Sequence, residues 1–299
     1  MKSLIVIAGP TASGKTPLAV SLAKTFHTVI ISADSRQMFR EMNIGTAVPA
    51  AEELASAKHY FIGNLSINDY YNASMYETEV NALLENLFQE KDIVFMAGGS
   101  GLYINCVCKG IDDFPPTDPA VREELMKQYN DQGIEGLRSS LKRVDPIYYE
   151  QTDLRNYKRI LKALEVSMMT GKPYSSFLRG EPKPRPYRFI QIGLELPREE
   201  LYSRIDARVG RMLERGLEEE ARALIPFRNT NALNTVGYKE LFDYFEGKIS
   251  REEAIRLIKR NTRHYAKRQI SWFSRDKDIK WFHPSEIENI EDYIRKETS

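Results

Sequence analysis

The chain has 299 residues, 42% hydrophobic and 28% charged, and its 43 Lys/Arg against 42 Asp/Glu give a formal net charge of +1. This is the profile of a globular protein with room for one large domain or two modest ones, and it excludes a disordered or collagenous chain. Cys106 and Cys108 are the only cysteines, and their i, i+2 spacing suits neither a disulfide staple nor a C-x-x-C site, so they read as small buried hydrophobes. His27, His59, His264 and His283 lack metal-ligand spacing, and no zinc site is expected. No segment has the length of a membrane span, and the first apolar run is too short for a signal-peptide core. A cytoplasmic protein is the expectation.

Residues 4–8, Leu-Ile-Val-Ile-Ala, form an apolar run suited to a buried parallel strand. It leads directly into GPTASGKT at 9–16, which fits G-x-x-x-x-G-K-[ST]. In this pattern successive backbone N–H groups curl around a polyphosphate. Gly9, Pro10, Thr11, Ala12, Ser13, Gly14, Lys15 and Thr16 are therefore the candidate diphosphate- or nucleotide-binding residues. Lys15 would reach the outer phosphate as a point charge, and Thr16 would offer its hydroxyl to a Mg²⁺ shared with it. Leu18, Val20, Leu22 and Ala23 mark a following helix, whose N-terminal dipole favours the same anion. The motif fixes the group that is gripped, ATP or another polyphosphate, and leaves its fate open.

Residues 28–32 read as a second buried strand, followed at once by Asp34 in ADSRQ. A carboxylate there would project into the same crevice as the phosphate loop, to hold Mg²⁺ through water or to act as a general base. The alternative is a helix N-cap or turn residue. A helix is predicted over about 74–90, and residues 93–97 read as a third strand ending in GGSGLY at 98–103. Three glycines and a hydroxyl suit close approach to a ligand. No acid ends this strand, where many phosphate-loop ATPases place a Mg²⁺-binding carboxylate.

Proline clusters, DDFPPTDP at 112–119 and GEPKPRP at 180–186, then bracket a strand-poor stretch with a predicted helix over about 154–169. They predict an inserted helical subdomain over 112–185 within a catalytic core made of 1–111 and 186–299, a pair of long connections being the alternative. Residues 188–194 read as a later strand, and beyond 195 the pattern is helical nearly to the end. The predicted fold class is α/β: a P-loop doubly wound parallel sheet with an inserted helical subdomain and a helical C-terminal part, its site at the strands' carboxyl ends.

Two basic stripes stand out. Arg155, Lys158, Arg159 and Lys162 recur at spacing 0, 3, 4, 7, with Tyr157, Ile160, Leu161 and Leu164 on another face. Between Arg256 and Arg275 there are seven Lys/Arg and no acid, and Arg256, Lys259, Arg260, Arg263 and Lys267 recur at helical spacing. Tyr265, Trp272 and Phe273 lie among them, a composition that stacks single-stranded or flipped bases. A charge run is usually a solvated face, but two one-sided stripes in a chain of near-zero net charge favour nucleic acid.

Taken in order, the motifs resemble those of the tRNA dimethylallyltransferases, or tRNA isopentenyltransferases, of bacterial type. The resemblance runs through GPTASGKT at 9–16, DSRQ at 34–37, NIGTA at 43–47, GGSGLY at 98–103 and DLR at 153–155 with Arg159 and ALE at 163–165. It continues through GL at 216–217, VGYKE at 236–240 and TRHYAKRQ at 262–269, so it covers nearly the whole chain. It implies transfer of a dimethylallyl group from dimethylallyl diphosphate to the N6 amine of adenosine 37, just 3′ of the anticodon, with release of diphosphate. The phosphate loop would then hold a leaving group, and no phosphoryl group would move.

An adenine amine is a poor nucleophile, so stabilising the departing diphosphate is the main catalytic task, which falls to Lys15, the loop amides and Mg²⁺ at Thr16. By resemblance Asp34 is the general base and Arg208 the arginine near the diphosphate. Asp34, Ser35, Arg36 and Gln37 belong to the segment that meets the extruded part of the tRNA, and Ser100 keeps the hydroxyl of a usual threonine. Arg122, Lys158, Arg159, Ile160, Leu161 and Lys162 match positions that touch tRNA, and the insertion matches a mobile domain that closes on the anticodon arm. Extruding the base costs a few kcal/mol of unstacking. Val48 where lysine is common, and Lys58-His59-Tyr60 where His-His is common, depart from the pattern.

The implied partners are the tRNA anticodon stem-loop and dimethylallyl diphosphate, with Mg²⁺ as cofactor, no membrane and a monomeric chain. A small-molecule kinase would explain only residues 9–16. An adenylate isopentenyltransferase has little need of a helical clamp or a basic surface, and a non-catalytic nucleic-acid module leaves the phosphate loop and Asp34 unexplained.

Overall fold

The computed structural model describes residues 1–115 and 118–299; Pro116 and Thr117 of the first proline cluster lie outside the described residues. The chain divides into two compact units, Met1–Lys109 with Pro184–Ser299, and Gly110–Lys183. The larger unit begins with β1 (Ser3–Ala8), α1 (Lys15–Thr25), β2 (Ile30–Ser32), α2 (Ala51–Ser56), β3 (His59–Tyr60), α3 (Ala73–Glu90), β4 (Ile93–Gly98) and α4 (Gly101–Lys109). The smaller unit holds α5 (Pro119–Val144), α6 (Pro146–Gln151) and α7 (Tyr157–Thr170). The larger unit resumes with β5 (Arg188–Leu194), α8 (Arg198–Glu214), α9 (Leu217–Ala223), α10 (Tyr238–Phe245), α11 (Arg251–Phe273), β6 (Lys280–Phe282) and α12 (Ile287–Thr298).

Among the described residues one six-stranded sheet runs β3-β2-β4-β1-β5-β6, every pair parallel. Because helices cover both faces, β1 is buried along its length, which explains its unbroken apolar sequence. Ile5 and Ile7 pack with Leu18, Ala19 and Leu22 of α1 and with Ile290 and Ile294 of α12. Leu4 and Val6, also buried, alternate to the opposite face. The register sets Ala8 beside Gly98 and Ser32 beside Ala97, so the carboxyl ends of β1, β4 and β2 are neighbours. Cys106 and Cys108 are free and buried in α4, and desolvation pushes both thiols up to about 12.

Two edge strands escape the sequence reading. The tail after residue 195 is not helical throughout, because Lys280–Phe282 pairs with β5, and His59–Tyr60 extends the other edge beside β2. Two or three residues are too few to show a period of two.

In the smaller unit Leu125, Leu137 and Leu141 of α5 pack against Ile160, Leu161, Ala163 and Leu164 of α7. Asn156 caps α7 by accepting from Arg159 N, and Gly171, at φ +68°, ends it in the left-handed conformation that glycine favours. Inside α5, Gly133 takes non-helical angles (φ +66°, ψ −164°) and kinks it.

Candidate active site

After β1 the chain turns through Gly9 (φ +149°), Ala12 (φ +66°) and Gly14 (φ +94°) before α1 begins at Lys15. A Cβ on Gly9 would lie 2.9 Å from Leu194 O, so glycine alone lets the loop seat against β5. The side chain of Gln269 on α11 fastens this loop from outside. Its Oε1 accepts from Thr11 N (2.8 Å), and its Nε2 donates to Gly99 O (2.9 Å), tying the phosphate loop to the loop after β4.

Within the loop the Ser13 hydroxyl is buried with no hydrogen-bond partner. Lys15 Nζ folds back to donate to Pro10 O (2.6 Å). Desolvation, and next the charge of Arg208, draw the Lys15 ammonium down to about 7 against the opposing pull of Asp34. An ammonium so poorly solvated, beside an orphan hydroxyl and the N-terminus of α1, fits an anion that supplies the missing charge and acceptors. Thr16, next along α1, lines the same cleft with a hard oxygen donor of the kind Mg²⁺ takes.

Asp34 Oδ1 accepts from Arg36 N (2.9 Å) and Gln37 N (3.4 Å), which closes the turn after β2. The turn engages one oxygen only: among the described residues, Oδ2 has no hydrogen-bond partner. Lys15, Arg36 and Arg208 all feel its charge. Burial lowers the pKa of Arg36 and of Arg208, with Asp34 opposing in each case. Burial and then Asp34 push the Tyr265 phenol well above its usual range.

Ser100 Oγ accepts from Ser35 N (3.0 Å) and lies 3.3 Å from Ser35 Oγ, so this hydroxyl binds the two loops together. Gln37 Nε2 donates to Thr46 O (3.2 Å) and Ala47 O (3.0 Å).

The glycines after β4 have a different reason from the one expected. A Cβ would fall 2.1 Å from Ala33 O at Gly98, 2.1 Å from Gln269 Nε2 at Gly99 and 2.2 Å from Trp272 Nε1 at Gly101. The close approach is that of protein, the β2 loop and α11, rather than of a ligand.

Lys15, Thr16, Asp34, Arg36, Gln37 and Arg208 line one cleft of about 1330 Å³, all of it in the larger unit, while Ser13 and Ser100 are not among its lining residues. Arg204, Arg208 and Arg211 of α8 line it at helical spacing, with Arg215 at that helix's C-cap, and Arg260, His264, Tyr265 and Arg268 of α11 line it too. The basic run on α11 is not one free face: Arg256 pairs with Glu253 (2.6 Å) and Arg263 with Asp206 (2.9 Å). Sequence reading missed Glu220, whose carboxylate organises residues 43–45. An acid in the first turn of a helix is ordinary, and no sequence signal singles it out.

In the smaller unit Lys158 and Arg159 are exposed on α7, and Lys162 Nζ lies 5.6 Å from the centre of the Phe114 ring. Arg122 pairs with the buried Glu165 (2.6 Å) while its side chain stays half-exposed. Ile160 and Leu161 are 0% and 1% exposed, so their side chains belong to the core and have no surface to offer tRNA. The expected contact segment narrows to its charged members.

The IPP transferase family model matches residues 37–276. "tRNA dimethylallyltransferase 1" of Porphyromonas gingivalis is 54% identical over 282 residues, 94% of each chain. The tRNA dimethylallyltransferase of Cytophaga hutchinsonii is 51% identical over 293 residues, 98% of this chain and 96% of that one. Among solved structures, the tRNA isopentenylpyrophosphate transferase of Bacillus halodurans aligns with a TM-score of 0.74 at 34% identity, covering 100% of this chain and 97% of the other. A eukaryotic dimethylallyltransferase acting on tRNA aligns with a TM-score of 0.83 over 96% of this chain and 75% of its own; at 24% identity it bears on the fold alone. With the family match running from Gln37 in the β2 loop to Asp276 beyond α11, and relatives half-identical almost from end to end, this chain belongs to the IPP transferase family.

Proposed function

We propose that this chain transfers the dimethylallyl group of dimethylallyl diphosphate to N6 of adenosine 37 in tRNA. One observation carries the reading: a single cleft holds a phosphate loop with an underprotonated lysine beside a carboxylate that keeps one oxygen unengaged. The C1–O bond of the donor breaks, the C1–N6 bond forms, and N6 gives up a proton. Lys15, the amides of the phosphate loop and Arg208 meet the charge that grows on the departing diphosphate. Thr16 would hold Mg²⁺, which when bound neutralises part of that charge. Asp34 Oδ2 takes the N6 proton while Oδ1 keeps the turn closed. Among the described residues no helix is long and apolar enough to cross a membrane.

The test is a transfer assay with labelled dimethylallyl diphosphate, Mg²⁺ and unmodified tRNA, with AMP, ADP and ATP as parallel acceptors. Label recovered as N6-dimethylallyladenosine from tRNA supports the proposal. Label confined to a free nucleotide would replace it with adenylate prenylation, and no label in any acceptor would reject both.

Two further results are expected. Lys158→Ala with Arg159→Ala should weaken tRNA binding about tenfold and lower the slope of log affinity against log salt by about 1.5 to 2. An unchanged slope would make that stripe a solvated face.

Donor binding should also depend on pH. Lys15 titrates near 7 in the free protein, and a bound diphosphate raises its pKa, so binding above that pH must take up a proton. Affinity is then full below about pH 7 and falls by up to about tenfold per pH unit above it. Calorimetry at pH 8.5 in buffers of different ionisation heat should show uptake approaching one proton. Lys15→Met should show less, and equal uptake by both proteins would remove Lys15 as its source.

A further inference from the structure

A carboxylate outside the reacting groups holds one wall of the cleft. Glu220 accepts four hydrogen bonds, from Asn43 N (2.9 Å) and Ile44 N (2.8 Å) on Oε2, and from Gly45 N (2.9 Å) and the Tyr238 hydroxyl (2.7 Å) on Oε1. Among the described residues it makes no ion pair; N–H and O–H dipoles alone meet its charge. Three successive amides on one carboxylate fix the backbone of residues 43–45. Gly45 is needed because a Cβ there would fall 2.6 Å from the Tyr238 ring. The next two carbonyls face the reacting groups. Thr46 O and Ala47 O accept from Gln37 Nε2, and Thr46 O also lies 3.5 Å from Arg208 Nη2. The Thr46 hydroxyl is tied back to Met42 O.

The geometry points to Glu220 as a positioning residue for the transfer reaction: with Tyr238 it sets segment 43–47, whose carbonyls hold Gln37 and Arg208 beside Asp34 and Lys15. The inference rests on the transferase reading above. Glutamine at 220 has the same shape but one acceptor end. Its amide nitrogen would face either Asn43 N and Ile44 N, or Gly45 N and Tyr238 OH; the hydroxyl can turn to accept, but a backbone amide cannot, so at least one donor is set against a donor. The segment must then shift, or leave amides unpaired. Arg208 would lose its anchor, and a guanidinium displaced from developing charge forfeits rate more than it forfeits substrate binding. Tyr238→Phe removes one of the four bonds and leaves the ring under Gly45.

The experiment measures single-turnover transfer by wild type, Glu220→Gln, Tyr238→Phe and Arg208→Lys, and by each of the first two variants combined with Arg208→Lys, with KM for tRNA and melting temperature alongside. Wild type without transfer activity would overturn the parent reading and this inference with it. With active wild type, Glu220→Gln should slow transfer by about ten- to hundredfold while KM for tRNA moves by less than about threefold. Tyr238→Phe should give a smaller loss in the same sense. In the Arg208→Lys background both losses should shrink, because the residue they act through is already displaced. Equal losses in both backgrounds, or a rate loss accounted for by unfolding, would make Glu220 a stability residue only. If Glu220→Gln does not fold, the Tyr238→Phe pair decides the same question.

Discussion

Asp34→Asn should lower the single-turnover transfer rate by about 10²- to 10⁴-fold, the usual worth of a positioned general base, while donor and tRNA still bind. Asparagine is the informative replacement because it keeps an acceptor at Oδ1. The N–H groups of Arg36 and Gln37 retain their partner, and the turn after β2 stays closed. What disappears is the basic oxygen and its charge. That charge also supports the protonated state of Lys15, so the pH above which the variant's donor affinity declines should move downward. Saturating donor keeps this binding effect out of the rate measurement. An unchanged rate in these conditions would falsify the base assignment and leave Asp34 as a turn residue among cations.

The difference between what the sequence disclosed and what it hid follows from distance along the chain. The phosphate loop was legible because strand, glycines, Lys15 and helix lie within about two dozen residues, each with a local signature. Strand β5 was legible for the same reason, and its span, Arg188–Leu194, coincides with the reading from pattern. Gln269 could not be read that way. It bridges Thr11 and Gly99 over 258 and 170 residues of separation, and although it closes the run TRHYAKRQ, nothing in that run says which loops it ties.

The glycines between the end of β4 and the start of α4 are legible in the sequence, but their reason is not. A Cβ clash with Trp272 is a fact of tertiary packing, whereas glycine beside a phosphate loop suggests a ligand. Ile160 and Leu161 show the converse. Alternation along α7 already placed apolar side chains on a buried face, and the contact segment carried over by resemblance included them regardless.

Lys15→Met should have two effects of opposite sign. Transfer should fall by about 10²- to 10³-fold, as when one donor to a developing oxyanion is removed. The donor-free protein should nonetheless become more stable, because folding draws this ammonium from 10.5 to about 7 and so works against its charged form. Between those values the unfolded chain binds more protons than the folded one, so the penalty is complete below about pH 7 and fades as pH rises toward 10.5. A gain of about 1–3 kcal/mol at pH 6.5 is expected, below the full linkage value because the loop can relax and water screens a half-buried group.

Thermal unfolding with and without inorganic diphosphate separates the two effects. Ligand at a hundred times its Kd should stabilise wild type by about 2.7 kcal/mol and the variant by much less, narrowing or reversing the order. If the variant without ligand melts below wild type at pH 6.5, the bond from Lys15 to Pro10 outweighs desolvation, and the loop is at rest without an anion. If it melts above, the phosphate loop holds its lysine in a state that only a bound polyphosphate relieves, and binding strength is stored in the fold before the donor arrives.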